Sequence, residues 1–360
     1  MGRWSATCGI ALHAELLGNE LLRMGHELIV FAPTLKSASK HWHHKVIRRR
    51  DEEWVLRCYD ELEPGSSDGG HVDGKKLLSL DYDIFILESY KQVPYEEING
   101  LMPKIRKKAR AVLVVHNGND EGLNRLNLDL FDAIVVFDER YVKEVLNGRR
   151  EKVHVIPYPC HPVVEGSWKK LDFAEDKIVF FSFGRQPAWE YGDYLAVLER
   201  LNRKYDLLYW IVRSDGGIPA RKRWVLQWFE RPSIEKLYGY LHSADAHLLP
   251  KGNTRNVVVS STCYQCLGSL CPIVAPDVRY FETLPEEGGI GPIVKYRDRE
   301  DLEEKLERLI EDEEYRRKVI QSARRYVEEN SSERIAERFL ALFEELRGRK
   351  VSARPSTLKI

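Results

Sequence analysis

Short apolar runs alternate with helix-length segments along this chain, and that alternation limits the fold more than any other feature. Ile84-Phe85-Ile86-Leu87, Val112-Leu113-Val114-Val115 and Ala133-Ile134-Val135-Val136-Phe137 are unbroken, and Val153–Ile156 contains a single histidine. A strand with no polar side is buried on both faces, as in a parallel sheet covered by helices. Before these runs, Leu12, Leu16, Leu17, Leu21 and Met24 share one face of a helix over Ala11 to Met24. Gly25 ends that helix, and the strand Leu28–Phe31 follows, stopped at Pro33. Helices are expected near 95–109 and 139–147. Pro157, Pro159, Pro162 and Gly166 then form a joint. A second series follows, with strands Ile178–Phe181, Leu207–Val212, Ala246–Leu249 and Ile273–Ala275 and helices near 192–203 and 233–242. Beyond Glu300 the chain reads as charged helices to about Gly348, with Leu302, Leu306, Leu309 and Ile310 on one stripe. The tail from Arg349 is expected to fray. The predicted fold class is α/β, with two Rossmann-like doubly wound domains.

A chain of 360 residues exceeds one comfortable core, which agrees with two domains. Hydrophobic residues at 43% and charged residues at 31% describe a globular chain. The formal net charge of zero removes any global attraction to nucleic acid. No apolar run approaches a bilayer span and no basic, apolar leader opens the sequence, so a cytoplasmic location is expected. The six cysteines, Cys8, Cys58, Cys160, Cys263, Cys266 and Cys271, are scattered. Cys263 and Cys266 form a C-x-x-C without a second ligand pair at zinc spacing, and they lie far from a thioredoxin-like position. They read as small buried hydrophobes.

One element is missing from the first series. A doubly wound domain places a strand before its first glycine-rich turn, but here Cys8-Gly9 is reached at once. Four lost buried aliphatics would cost about 6–12 kcal/mol, comparable to the stability of a domain. Met1 to Ser5 is expected to be too short for the slot. The reading is an in-frame upstream extension of about 5–10 residues rich in Val, Ile and Leu.

Ser260 to Phe281, SSTCYQCLGSLCPIVAPDVRYF, is the most telling stretch for function. A Ser-Ser pair opens a short helix, Leu270 to Pro272 ends it, and Pro272–Ala275 reads as a buried strand stopped by Pro276-Asp277. Serine hydroxyls and free N–H groups at a helix start suit an anion. The segment resembles the nucleotide-sugar site of GT-B glycosyltransferases. Residues 5–345 as a whole resemble the retaining glycosyltransferases called group 1 or family 4. The resemblance implies an acceptor-side domain over 1–160, a nucleotide-sugar-binding domain over 161–332, and an interdomain crevice. It also implies a C-terminal helix at 333–348 returning to the first domain, before the tail 349–360.

The motifs arrive in the family's order, with departures. Gly9 matches the turn where the backbone approaches a donor diphosphate. His116, at a carboxyl strand end, matches a histidine near the reacting sugar, where it would donate a hydrogen bond or assist an oxygen. Asn117, Asp120 and Glu121 are the neighbouring acceptor-side candidates. Arg185, in Phe183-Gly184-Arg185, matches the cation that neutralises the diphosphate. The lysine expected a few residues later is replaced by Glu190 or Tyr191. Glu190 is expected to point elsewhere, with Lys251 and Arg255 as substitute cations. The family's paired glutamates fall on Val257 and Gln265, of which Gln265 retains a donor and an acceptor for a ribose. Ser260 and Ser261 join Arg185 as diphosphate ligands.

Lys36 to Arg50, KSASKHWHHKVIRRR, is basic, but Asp51-Glu52-Glu53 follows at once. It reads first as a solvated loop and second as a peripheral contact to anionic head groups at the inner membrane face. His41, His43 and His44 could bind a metal if a carboxylate or a further histidine lay beside them in space. The function implied is sugar transfer from a nucleotide-diphosphate-sugar to a hydroxyl of a glycan, lipid-linked or small-molecule acceptor. Transfer would proceed with retention and without a metal or other cofactor. Two rivals stand beside it: a catalytically degenerate nucleotide-sugar-binding or scaffold protein, and a nucleotide-sugar epimerase.

Overall fold

The structure, a computed structural model, describes residues 1–41, 50–116, 118, 121–166 and 171–348. The chain divides into two units. The first comprises Met1–Pro159, Asn256–Ser261 and Ser332–Ile360, and the second Cys160–Arg255 and Thr262–Ser331.

The first unit begins with α1 (Gly9–Arg23), whose N-terminus is capped by the Cys8 thiol and whose end is turned by Gly25 at φ +88°. Then come β1 (Val30–Pro33), α2 (Leu35–Ser39), β2 (Val55–Leu62), β3 (Gly69–Val72) and α3 (Gly74–Ser79). The unit continues with β4 (Ile84–Ser89), α4 (Tyr95–Ile105), β5 (Arg110–Val115), α5 (Glu121–Asn124), β6 (Ala133–Val136) and β7 (Val153–Val155). Strands β4-β5-β6-β7 are parallel neighbours, and β1-β2-β3 form a second ladder whose last pair is antiparallel. Residues 111–115 of β5 are all fully buried, which explains their unbroken apolar run. The helix expected at 139–147 is a π-helical turn, Tyr141–Val145. Strands β2 and β3 were not anticipated: Arg57 and Asp60-Glu61 break the apolar run of VLRCYDEL, and Arg57 is paired with Asp51.

The slot between the two ladders is not left open along its whole length. The Gly2 N–H donates to Phe31 O at 3.1 Å, and the Glu88 N–H donates to Met1 O at 2.9 Å. Met1 and Gly2 therefore bridge β1 and β4, which corrects the expectation that Met1–Ser5 cannot enter a central position. Gly2 is required there, since a Cβ would sit 2.9 Å from Glu88 Cβ and Cγ. Beside these residues lies a small, mostly apolar pocket, lined in part by Leu28, Val30, Ile84 and Phe85.

The second unit contains β8 (Ile178–Phe183), α6 (Gly192–Leu201), β9 (Leu207–Arg213), β10 (Val225–Phe229), α7 (Ile234–His242) and β11 (Ala246–Leu248). It continues with α8 (Ser261–Leu267), β12 (Ile273–Pro276), β13 (Val294–Tyr296), α9 (Arg299–Glu311) and α10 (Glu313–Asn330). The sheet order is β10-β9-β8-β11-β12-β13, all parallel. The chain winds outward from β8 to β10, then returns to β11 on the other side of β8. This is the doubly wound order, and it puts a topological switch point at the carboxyl ends of β8 and β11. Tyr194, Tyr209, Val274, Leu302 and Leu306 meet in its core. The edge strands β10 and β13 escaped the sequence reading because neither carries a long apolar run. In β10, the Gln227 side chain holds the Ile218 N–H and the Ile218 and Ala220 carbonyls instead.

The last helix, α11 (Ser332–Leu346), belongs to the first unit and packs on α1. Ser332 donates to Glu20 at 3.0 Å, Arg23 pairs with Glu333, and Phe339 lies 6.1 Å from the His13 ring. All cysteines are free thiols, buried except for the half-buried Cys8. Burial pushes the Cys58 thiol up to about 11 and raises Cys160, Cys263, Cys266 and Cys271, so they are poor nucleophiles and ligands.

Candidate functional site

In the first unit the chemistry collects around one buried carboxylate. Glu88 sits near the carboxyl end of β4. His116 follows the last residue of the neighbouring β5, and His13 faces inward one turn into α1. Glu88 Oε1 lies 3.0 Å from His13 Nδ1, and Oε2 lies 2.5 Å from His116 Nε2. Burial pushes the Glu88 carboxyl up, but the two imidazoles outweigh it and hold Glu88 well below the ordinary carboxylate range. Burial pushes His116 below its ordinary value, against the pull of Glu88. The His116 backbone is fixed as well, its N–H donating to Ser89 Oγ at 3.3 Å and its carbonyl accepting from Tyr141 at 3.1 Å. Phe137, Tyr158 and Phe339 close the aromatic wall around His13.

Gly9 reaches the same cluster. Its carbonyl accepts from the Tyr158 hydroxyl at 2.6 Å, and a Cβ at Gly9 would lie 2.8 Å from Ser261 Oγ. Gly9, Ser261, His13 and His116 thus share one region of the first unit. Ser260 is buried beside Ser261 in the segment 256–261. That segment is anchored by the Gly118 N–H donating to Val257 O at 2.8 Å. Val257 is fully buried against Gly118, so the position where the family has a carboxylate is here a packing contact. A second polar group at the same sheet edge is internally matched: Arg3 donates to Glu61 at 2.7 Å and to Gln92 at 3.0 Å. Asn117 and Asp120 lie outside the described residues, as do 42–49 of the basic segment.

In the second unit, Arg185 follows β8 and Lys251 follows β11, one on each side of the switch point. Gly184, at φ +127°, turns the chain in a conformation that favours glycine. Lys251 is half-buried with its ammonium 4.5 Å from the Tyr280 ring centroid; burial lowers its pKa and the Glu190 carboxylate opposes this. Glu190 therefore does not point elsewhere. Its Oε1 lies 2.8 Å from where a Cβ of Gly252 would be, and its Oε2 is buried with no hydrogen-bond partner among the described residues. Arg255 is exposed, and Gln265 is half-buried on α8, its carbonyl accepting from Tyr238 at 2.8 Å. The helix α8 has only seven residues, so its N-terminus contributes little dipole.

The sequence reading missed three residues at these edges. Arg213, at the end of β9, is buried and donates to Gln186 O and, at 2.8 Å, to Gly216 O. Glu88 could have been flagged as the lone acid ending an apolar strand, and His13 as the lone polar residue on a buried helical face.

Among the described residues, His13, Glu88 and His116 are the one group with three candidate metal-ligand atoms, all within 4.8 Å of one another. Their closest spacings are those of hydrogen bonds. A tetrahedral ion with bonds of about 2 Å would hold its ligand atoms roughly 3.3 Å apart, wider than the 2.5 and 3.0 Å seen.

No family model matches the chain. Solved structures do resemble it. HepE of Anabaena, in complex with UDP and glucose, aligns over 95% of this chain and 98% of its own, with a TM-score of 0.62 and 11% identity. The fold is GT-B. The pneumococcal O-GlcNAc transferase GtfA, in complex with UDP and GlcNAc, aligns over 76% of this chain at a TM-score of 0.55 and 17% identity. TarM aligns over 72% at 0.52 and 16% identity. This GT-B chain spans only 58% of GtfA and 54% of TarM. At these identities the likeness is one of fold.

Proposed function

We propose that this chain is a glycosyltransferase that moves a sugar from a UDP-sugar to an acceptor hydroxyl with retention at the anomeric carbon. The observation that carries the reading is a pair of cations, Arg185 and Lys251, flanking the switch point of a doubly wound sheet. Two leaving phosphates need positive charge that does not come from water, and a guanidinium with an ammonium supplies it. The UDP bound by HepE and GtfA favours uridine as the donor base. In this reading Ser260, Ser261 and the Gly9 backbone add neutral contacts to the donor, and Gln265 contacts its ribose. His116 serves the reacting sugar or the acceptor, which is a glycan, a lipid-linked sugar or a small molecule. No metal takes part. No helix among the described residues is long and apolar enough to cross a membrane, and residues 36–50 are the proposed place for any peripheral membrane contact.

A thermal-shift series with UDP-, GDP- and ADP-sugars, followed by release of UDP, tests this. A binder gains stability as RT ln(1 + [L]/Kd), and UDP-sugars are expected to give the largest shifts. Arg185→Ala is expected to weaken UDP binding by about 1.5–3 kcal/mol, the range for hydrogen bonds to charged groups. Donor affinity unchanged in that variant would take Arg185 out of the site. His116→Ala is expected to lower kcat about tenfold, the loss of one hydrogen bond of about 1.4 kcal/mol, while UDP affinity moves less than twofold. A fall in UDP affinity as large as the fall in kcat would place His116 at the nucleotide instead.

Glu190 beside Lys251 and the packed Val257 favour one second reading, a GT-B protein that binds nucleotide sugar without turnover. It predicts UDP-sugar shifts in melting temperature with no UDP released in the presence of any acceptor.

A further inference from the structure

A single ionised carboxylate between two imidazoles decides where the imidazole protons sit. Glu88 has only acceptor oxygens to offer, so each nitrogen that faces it must carry the hydrogen. For His13 that nitrogen is Nδ1, and its other nitrogen, Nε2, is buried with no hydrogen-bond partner among the described residues. A bare ring nitrogen tolerates that position better than an N–H would, which agrees with His13 protonated at Nδ1 alone. For His116 the nitrogen facing Glu88 is Nε2.

We propose that Glu88 is a positioning residue that locks neutral His116 in the tautomer protonated at Nε2, leaving Nδ1 as a hydrogen-bond acceptor for a substrate hydroxyl. The inference rests on the proposed function for what His116 touches, and on the geometry alone for its tautomer. Of the two roles expected for His116, donating to the sugar or assisting an oxygen, a neutral His116 held this way suits the second, as an acceptor.

The groups facing His116 agree with this assignment. Glu88 comes from β4 and His13 from α1, and the Phe137 ring centroid lies 5.1 Å from that of His116; of the cations, Arg3 is matched by Glu61 and Gln92, and the Met1 ammonium, which also acts on Glu88, donates to Ile86 O. Burial disfavours a second proton on the ring, and Glu88, whose two oxygens each face a ring nitrogen that can donate to it, fixes which nitrogen keeps the first.

Long-range ¹H–¹⁵N correlation spectra of the full chain labelled in histidine, at pH 7.5, test the tautomer directly. His13→Asn and His116→Asn variants assign the signals. His116 is expected to show a protonated Nε2 and a bare Nδ1, and His13 the reverse. A His116 carrying hydrogen on Nδ1, on both nitrogens, or a stoichiometric metal ion found by elemental analysis would overturn the proposal.

The second arm uses Glu88→Gln, which keeps the shape but offers one acceptor and one donor, so one imidazole must invert. With UDP-glucose as the probe, UDP release is expected to fall at least fivefold in kcat with KM within twofold, whereas Glu88→Asp keeps two acceptors and regains at least half of that loss. Equal activity for the Gln and Asp variants would also overturn it. If UDP-glucose is not turned over by the unaltered protein, the functional reading fails while the spectra still decide the tautomer.

Discussion

The Gly268→Val protein is expected to lose about 3 kcal/mol of stability or more, at the upper end of what overpacking costs. A Cβ at Gly268 would stand 2.2 Å from Pro162 O and 2.4 Å from His161 O, and both obstacles are backbone atoms. They cannot step aside cheaply. The His161 N–H donates to Tyr264 O at 3.1 Å and the Val164 N–H to Gly268 O at 3.0 Å, so the strand of chain leaving the joint is tied to the end of α8. Urea unfolding followed by circular dichroism measures the effect. Gly239→Ala, in α7 with nothing within 4 Å of its added methyl, is the control and should be neutral or slightly stabilising. A Gly268→Val midpoint equal to that of the unaltered protein would show that the joint yields freely.

His247→Leu is expected to remove about 3 kcal/mol of the stability difference between pH 7 and pH 4. His247 lies in β11, between β8 and β12, fully buried, with both ring nitrogens lacking partners among the described residues. Burial pushes it down to about 3 from its ordinary 6.5. Above pH 6.5 neither the folded nor the unfolded chain takes up a second proton there, so it adds no pH dependence to stability. Below that pH the unfolded chain takes up a proton that the folded chain refuses, and stability falls by about 1.4 kcal/mol per pH unit until the folded value is reached. Leucine has similar volume and no proton to take up. Urea midpoints at the two pH values, compared between the proteins, give the number. Parallel pH dependence in both would mean that His247 is solvated or paired in solution.

How much of this was legible depended on whether a residue's role was local. The unbroken runs that became β5, β8 and β9 announced themselves, because a strand buried on both faces must be apolar throughout. The position of Arg185, though not its role, could be read for a similar reason: Gly-Arg directly after such a run lies at a carboxyl strand end. The edge strands β10 and β13 could not, since Gln227 and Lys295 interrupt their short apolar runs. Glu88 and His13 lie 75 positions apart and acquire meaning only through each other. Ser260 and Ser261 were correctly read as opening a helix. That they belong with Gly9 in the first unit was decided by Val257 lying against Gly118, a contact with no sequence signal.

The path of the chain through its two units also sets the order in which they can be completed during synthesis. Residues 1–159 leave the ribosome first, yet the apolar face of α1 waits for α11, whose Ser332, Glu333 and Phe339 reach Glu20, Arg23 and His13. The first unit also waits for 256–261. The second unit needs nothing beyond Ser331. Domains tend to fold as units as they emerge, and contacts between distant parts of the chain form late. In this protein the second unit is the first able to finish, and the first unit emerges with part of α1 uncovered until α11 has been made.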